Sequence, residues 1–118
     1  MRDDVYWVCV FKVKQERFSD FAAVVAPLVA ATRKEPGALA YEYSVSEDRT
    51  TIHIIEHYRD SAAVVFHMTE TFPPFAEAFG ALATPDGFIV YGDPKPEARA
   101  FLDTQRAVYM SRFDGFTR

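Results

Sequence analysis

The densest group of acid–base side chains in the sequence is His53-x-x-Glu56-His57, within TIHIIEHY from Thr51 to Tyr58. On an α-helix this spacing puts both histidines on one face, where they could close on a zinc ion beside a catalytic glutamate. The neighbouring residues argue for another backbone. Thr51, Ile52, Ile54, Ile55 and Tyr58 are β-branched or aromatic and favour a pleated strand. In a strand His53 and His57 stand about 13 Å apart on one face, at roughly 3.3 Å per residue, and Glu56 points to the other face. One ion cannot be held that way, and no metal site is expected.

The remaining histidine, His67, stands in AAVVFHMT on a helical stripe with Ala63, Val64 and Thr71. A histidine there needs a polar partner that an apolar core would not supply. It reads either as a satisfied core residue or as a working acid or base. Opposite it, one strand parity collects Trp7, Phe11, Tyr41, Tyr43 and Tyr58 together with Glu56, and Phe72, Phe75 and Phe79 could close the end of the space between. The phenylalanines alone read equally well as plain core. The chain has no glycine-rich phosphate loop, no paired cysteines and no serine elbow, so no cofactor is expected. Its single cysteine, Cys9, lies between Val8 and Val10 and reads as a small buried hydrophobe.

These side chains need a frame, and the periodicities define one. VYWVCVFKV, Val5 to Val13, is a strand covered on both faces. Ser19 or Asp20 would cap an alanine-rich helix running to about Lys34, with Phe21, Val24, Val25 and Leu28 as its apolar stripe and Pro36-Gly37 as its stop. Leu39 to Ser46 alternates as a second strand, with Leu39, Tyr41, Tyr43 and Val45 on one face, and Glu47-Asp48-Arg49 turns it into the His53 strand. Asp60 or Ser61 opens a second helix to about Glu70, interrupted at Pro73-Pro74 before a short helix, Phe75 to Leu82. Pro85-Asp86-Gly87 is expected to turn into a last strand, Phe88 to Tyr91. The order is βαββαβ, the α+β ferredoxin-like arrangement of one antiparallel sheet with helices on one face.

In such a sheet Tyr6, Val8, Val10, Ile55 and Ile89 fall on the face without helices and would leave an apolar patch in water. Two copies packed sheet to sheet would cover it, so a homodimeric α+β barrel is expected, with His53 and His57 lining it beside Glu42 and Ser44. Residues 1–92 form the domain, and 93–118 form an extension packed on that domain or across the partner. A chain of 118 residues with net charge −4 and scattered basic residues carries no footprint for nucleic acid or anionic membrane. The acidic start, Met1-Arg2-Asp3-Asp4, and the lack of a long apolar run point to a cytoplasmic protein.

The run Glu35-Pro36-Gly37-Ala38-Leu39-x-Tyr41, followed by Glu56-x-Tyr58 and then Ala63-x-x-x-His67, resembles the antibiotic biosynthesis monooxygenase family of dimeric α+β barrels, including small quinol monooxygenases. The chain has Tyr58 where that family commonly has tryptophan, Thr71 where a second histidine often follows, and no asparagine. The resemblance implies cofactor-free oxidation of an electron-rich phenol, quinol or aromatic polyketide with dioxygen. Trp7, Phe11, Tyr41, Tyr43, Glu56, Phe72, Phe75 and Phe79 would hold the substrate, His67 would take its phenolic proton, and Tyr58 would donate to the developing oxyanion. Two other readings of the same pocket stand beside it: an isomerase or lyase moving a proton on a small lactone or keto compound, and a ligand-binding dimer without catalysis.

Overall fold

The computed structural model describes residues 2–118. β1 (Val5–Val13) is followed by a 3₁₀ turn (Gln15–Arg17) and α1 (Phe18–Arg33), then by the hairpin of β2 (Ala38–Val45) and β3 (Thr51–Tyr58). α2 (Ser61–Phe66), a π turn (His67–Thr71) and α3 (Pro73–Leu82) lead to β4 (Ala83–Tyr91), and α4 (Pro96–Leu102) leads to β5 (Val108–Met110). The sheet order is β2-β3-β1-β4-β5, antiparallel except for the β4–β5 pair. The first four strands form the expected ferredoxin-like sheet, β5 adds to its β4 edge, and the five-stranded sheet is not closed. Among the described residues no helix is long and apolar enough to cross a membrane.

Alternation in β1 and β3 puts Val5, Trp7, Cys9, Ile52, Ile54, Glu56 and Tyr58 under the helices, all buried. Phe21, Leu28 and Thr32 of α1 meet them, and each large apolar side chain so buried stabilises the fold by about 1.5–3 kcal/mol. The stripe appears as expected, but the helix begins before Ser19. The 3₁₀ turn winds directly into it, so neither Ser19 nor Asp20 caps it. At α2 the cap is Asp60, whose Oδ1 accepts from the Ala63 amide at 2.8 Å.

Three local departures from regular alternation decide what faces inward. A bulge between Ala38 and Ala40 turns Leu39 out to 55% exposure, away from the face of Tyr41 and Tyr43. Pro85-Asp86-Gly87 is not a turn. β4 begins at Ala83 and takes Asp86 as an extra residue opposite Val10 and Phe11, where a proline without an N–H is tolerated. Between α2 and α3 the Phe72 amide donates to the His67 carbonyl at 2.9 Å, a five-residue step that widens the helix just before Pro73-Pro74, whose rings a regular turn would crowd.

Gly37 joins the hairpin to α2. A Cβ there would lie 2.6 Å from the Ala63 Cβ, and its carbonyl accepts from the Arg59 amide at 2.8 Å. Gly37→Ala is therefore expected to destabilise the protein by about 1–3 kcal/mol through overpacking. Adding Ala63→Gly should recover the clash and leave about 1 kcal/mol of helix-propensity loss. Denaturant unfolding of the two single variants and the double variant checks this, and additive effects would contradict the contact.

The segment after β4 packs on the same chain. The Lys95 amide donates to Ser61 Oγ at 2.9 Å, Ala98 and Leu102 are fully buried, and the Arg99 guanidinium sits 3.9 Å from the centre of the Tyr109 ring. Arg112 donates to the carbonyl and carboxylate of Asp4. Hydrogen bonds from Arg2, then from His57, hold the Asp4 carboxyl down to about 2. The sheet face opposite the helices carries Val8 and Val10, half-buried, and Ile55, Ile89, Val108 and Met110, exposed by 41–57%.

Candidate active site

Three cross-strand rows build the floor of a cavity under α3 and the π turn. Tyr41, Glu56, Trp7 and Val90 lie side by side across β2, β3, β1 and β4; Tyr43, Ile54, Cys9 and Phe88 form the next row; Phe11 and Pro85 belong to a third. Between these rows and His67, Met68, Phe72 and Phe79 lies a cavity of about 720 Å³, a size that suits a drug-sized organic ligand. Its remaining wall comes from Asp86 and Gly87, from Phe101 of α4, and from Thr104, Gln105 and Arg106 after α4.

Of the residues expected in a site, Trp7, Phe11, Tyr41, Tyr43, Glu56, His67, Phe72 and Phe79 all reach this cavity. Two do not. Phe75 is half-buried against the core without lining the space. Tyr58 is fully buried on the same sheet face without lining the space, and its hydroxyl donates its one proton to Glu56 Oε1 at 2.6 Å rather than to an oxyanion in the cavity. Burial, then the neighbouring Glu56 charge, keep that phenol protonated, far above its ordinary range. His53 and His57 point to the other sheet face, His53 exposed and His57 bonded to Asp4 at 2.6 Å. Among the described residues no group of three or more His, Cys, Asp or Glu side chains converges as metal ligands would.

The polar group at the inner end of the cavity is connected. His67 Nδ1 lies 2.7 Å from Glu35 Oε2, and both residues are buried, at 2% and 6% exposure. A carboxylate only accepts, so Nδ1 carries the proton and Nε2 keeps a free lone pair. Nε2 stands 3.9 Å from Glu56 Oε1, too far for a hydrogen bond. Glu56 is itself fixed by Tyr58 and by Cys9 Sγ at 3.6 Å, and burial raises that thiol far above its ordinary range. Beside it the Tyr41 and Tyr43 hydroxyls meet at 2.8 Å. One proton joins the pair, and among the described residues the other hydroxyl proton has no protein acceptor within hydrogen-bond reach and can be offered to a ligand oxygen. Burial pushes both phenols upward, so both stay donors.

Glu35 was the unrecognised member of this site, since by residue type it reads as part of a helix stop. A signal for it exists. Phe21, Val25, Leu28 and Thr32 recur at helical spacing, and Glu35 continues the same stripe just past the end of α1. No comparable signal marks Asp86 or Arg106, which reach the cavity through a bulge and through a loop after α4.

An open α+β sheet with helices on one face, enclosing an aromatic cavity around a carboxylate-oriented histidine, defines the class structurally. The sequence profile of the antibiotic biosynthesis monooxygenase family matches residues 5–81, more than half of the chain, and the chain belongs to that family. Its fold is similar to that of MupZ from Pseudomonas fluorescens, at 26% identity over 99% of this chain and 96% of that one, with a TM-score of 0.85. It is also similar to SnoaB, a cofactor-independent oxygenase from Streptomyces nogalater, at 23% identity over 79% of this chain and 95% of that one, with a TM-score of 0.67. Rv0793 from Mycobacterium tuberculosis matches at 20% identity over 79% of this chain and 97% of that one, also with a TM-score of 0.67. No curated protein matches the sequence.

Proposed function

We propose that this protein is a cofactor-independent monooxygenase that oxidises an electron-rich phenol, quinol or aromatic polyketide with dioxygen, working as a homodimer. The observation that carries the reading is the His67 Nε2 lone pair, aimed by the buried Glu35 carboxylate, beside a cavity walled by Trp7, Tyr41, Tyr43, Phe72 and Phe79. Membership of the family supports it, as does the likeness in fold to SnoaB, described as a cofactor-independent oxygenase.

The chemistry needs little equipment. Ground-state dioxygen is a triplet and reacts slowly with closed-shell molecules, but a phenolate can hand it one electron. His67 Nε2 removes the phenolic proton, and Glu35 holds the imidazolium that results. The phenoxyl radical and superoxide combine to form a carbon–oxygen bond, giving a peroxide anion. Imidazolium returns its proton to that peroxide, and His67 Nε2 then removes the hydrogen of the oxygenated ring carbon as a proton. The C–H electron pair becomes the C=O bond, the O–O bond breaks, and the departing hydroxide takes that proton and leaves as water. One oxygen atom enters the product and the other leaves in water. The free proton of the Tyr41–Tyr43 pair supplies a hydrogen bond to the negative oxygen. Residues 93–118 serve in this reading as an extension of the family domain that shapes the cavity. The homodimer covers the apolar face of Val8, Val10, Ile55 and Ile89.

Anthrone, whose enol is an electron-rich phenol, is the test substrate. Under ¹⁸O₂ the anthraquinone formed is expected to carry one labelled oxygen, and formation should stop under nitrogen. The closeness of His67 and Glu56, 3.9 Å apart on one cavity, favours a second reading as an isomerase that shuttles a proton between two carbons. Turnover of a keto compound that continues without dioxygen would support that reading against the first.

A further inference from the structure

The cavity is polar at both ends, and only the inner end is used by the reaction above. Its inner end is buried: Trp7, Glu56 and His67 are no more than 6% exposed. Its mouth is formed by exposed residues, Asp86 on the β4 bulge and Thr104, Gln105 and Arg106 beyond α4. Of the side chains lining the whole cavity, Arg106 is the one arginine or lysine, and among the described residues it makes no ion pair. Two other arginines of the C-terminal segment are engaged, Arg99 against Tyr109 and Arg112 on Asp4.

The backbone adds a second observation. Arg106 closes the 3₁₀ turn Asp103–Gln105 in the left-handed region, with φ 59° and ψ 40°, its amide donating to the Asp103 carbonyl at 3.1 Å. Glycine takes that conformation freely, whereas a residue with a Cβ is held there against a steric penalty. The turn therefore places Arg106, whose guanidinium makes no ion pair among the described residues, on the lip of the cavity at a position where chain geometry alone would favour glycine. The lip also lies outside the matched family region, residues 5–81, so it is a feature added to the common domain.

We infer that Arg106 is the distal anchor of the substrate site, and that the substrate is an elongated molecule with a phenolic or enolic ring at one end and a carboxylate at the other. This rests on the proposed reaction for the ring and extends it to the rest of the molecule. A planar guanidinium matches a carboxylate in a two-pronged hydrogen bond. A single free cation, with Asp86 on the same lip and Glu56 inside, balances one negative charge and not the two of a phosphate monoester. The cavity of about 720 Å³ accommodates more than one ring system along its length.

The test uses 6-(5-hydroxynaphthalen-1-yl)hexanoic acid and its methyl ester, with quenching of Trp7, the single tryptophan and part of the cavity wall, as the readout. The unaltered protein is expected to bind the acid roughly 10-fold more tightly than the ester, a preference that shrinks with added salt. Arg106→Gln should lower affinity for the acid to that for the ester and leave the ester unchanged, while Arg106→Lys should keep part of the preference. Arg106→Gly should abolish the preference while leaving the melting temperature equal or higher, because glycine relieves the turn. Equal affinity for acid and ester, equal weakening of both by Arg106→Gln, or quenching by neither probe would each overturn the assignment. Binding needs no turnover, so a failed ¹⁸O experiment and a failed acid preference are separate results.

Discussion

Replacing His67 with alanine is expected to lower turnover of anthrone by roughly 10²-fold or more, the usual loss for a positioned acid–base group. The variant also strands the buried Glu35 carboxylate, at a further expense of about 1–3 kcal/mol in stability, so activity and melting temperature must be read on the same samples. His67→Gln separates the two roles. Its amide can donate to Glu35 but cannot take up a proton, so stability should largely return while turnover does not. Glu35→Gln should leave the imidazole bonded but without the charge that supports its protonated form. It is expected to slow turnover by less than His67→Ala, with little change in substrate affinity. A folded His67→Ala protein with full activity would remove His67 from the mechanism. Turnover that falls only as far as the folded fraction falls would assign it to the core.

In the proposed homodimer, Val10→Asp is expected to give monomer or aggregate. Val10 stands at the middle of the helix-free face, opposite His53 on β3 and Gly87 on β4. A carboxylate there would have to be buried between two sheets without a partner, a penalty of several kcal/mol for each copy, applied twice across a two-fold axis. Ala23→Asp, which adds the same charge at an exposed position on α1, is the control and should leave the mass unchanged. Light scattering with size-exclusion chromatography reads both. A stable dimer of unchanged mass in Val10→Asp would move the interface away from this face.

The frame was legible because its signals are local. Alternation in VYWVCVFKV and TIHIIEHY, a stripe at helical spacing from Phe21 to Leu28, and proline and glycine at the joints dictate strand, helix and turn through backbone sterics and burial of one face. The same parity argument placed Trp7, Tyr41, Tyr43 and Glu56 on one surface and separated Glu56 from His53 and His57, whose spacing would mean something else on a helix. His67 stood out because a histidine in an apolar stripe needs a partner.

What that partner was, and where the cavity ended, depended on tertiary structure. Glu35 reaches His67 because the end of α1 and the π turn come together in space, 32 residues apart in the chain. Tyr58 shares the favourable parity yet is sealed off beside Glu56, since parity tells which face a side chain takes and not how deep neighbours bury it. Pro85-Asp86-Gly87 has turn composition, but pairing with β1 draws it into the sheet as a bulge, because ladder hydrogen bonds along the flanking residues outweigh a local turn preference. Arg106 carries no periodic signal at all. The packing of α4 against α2 brings it to the cavity, so sequence-local physics sets the shared face of Trp7, Tyr41, Tyr43 and Glu56, while the Glu35–His67 pair and the mouth exist only in the assembled fold.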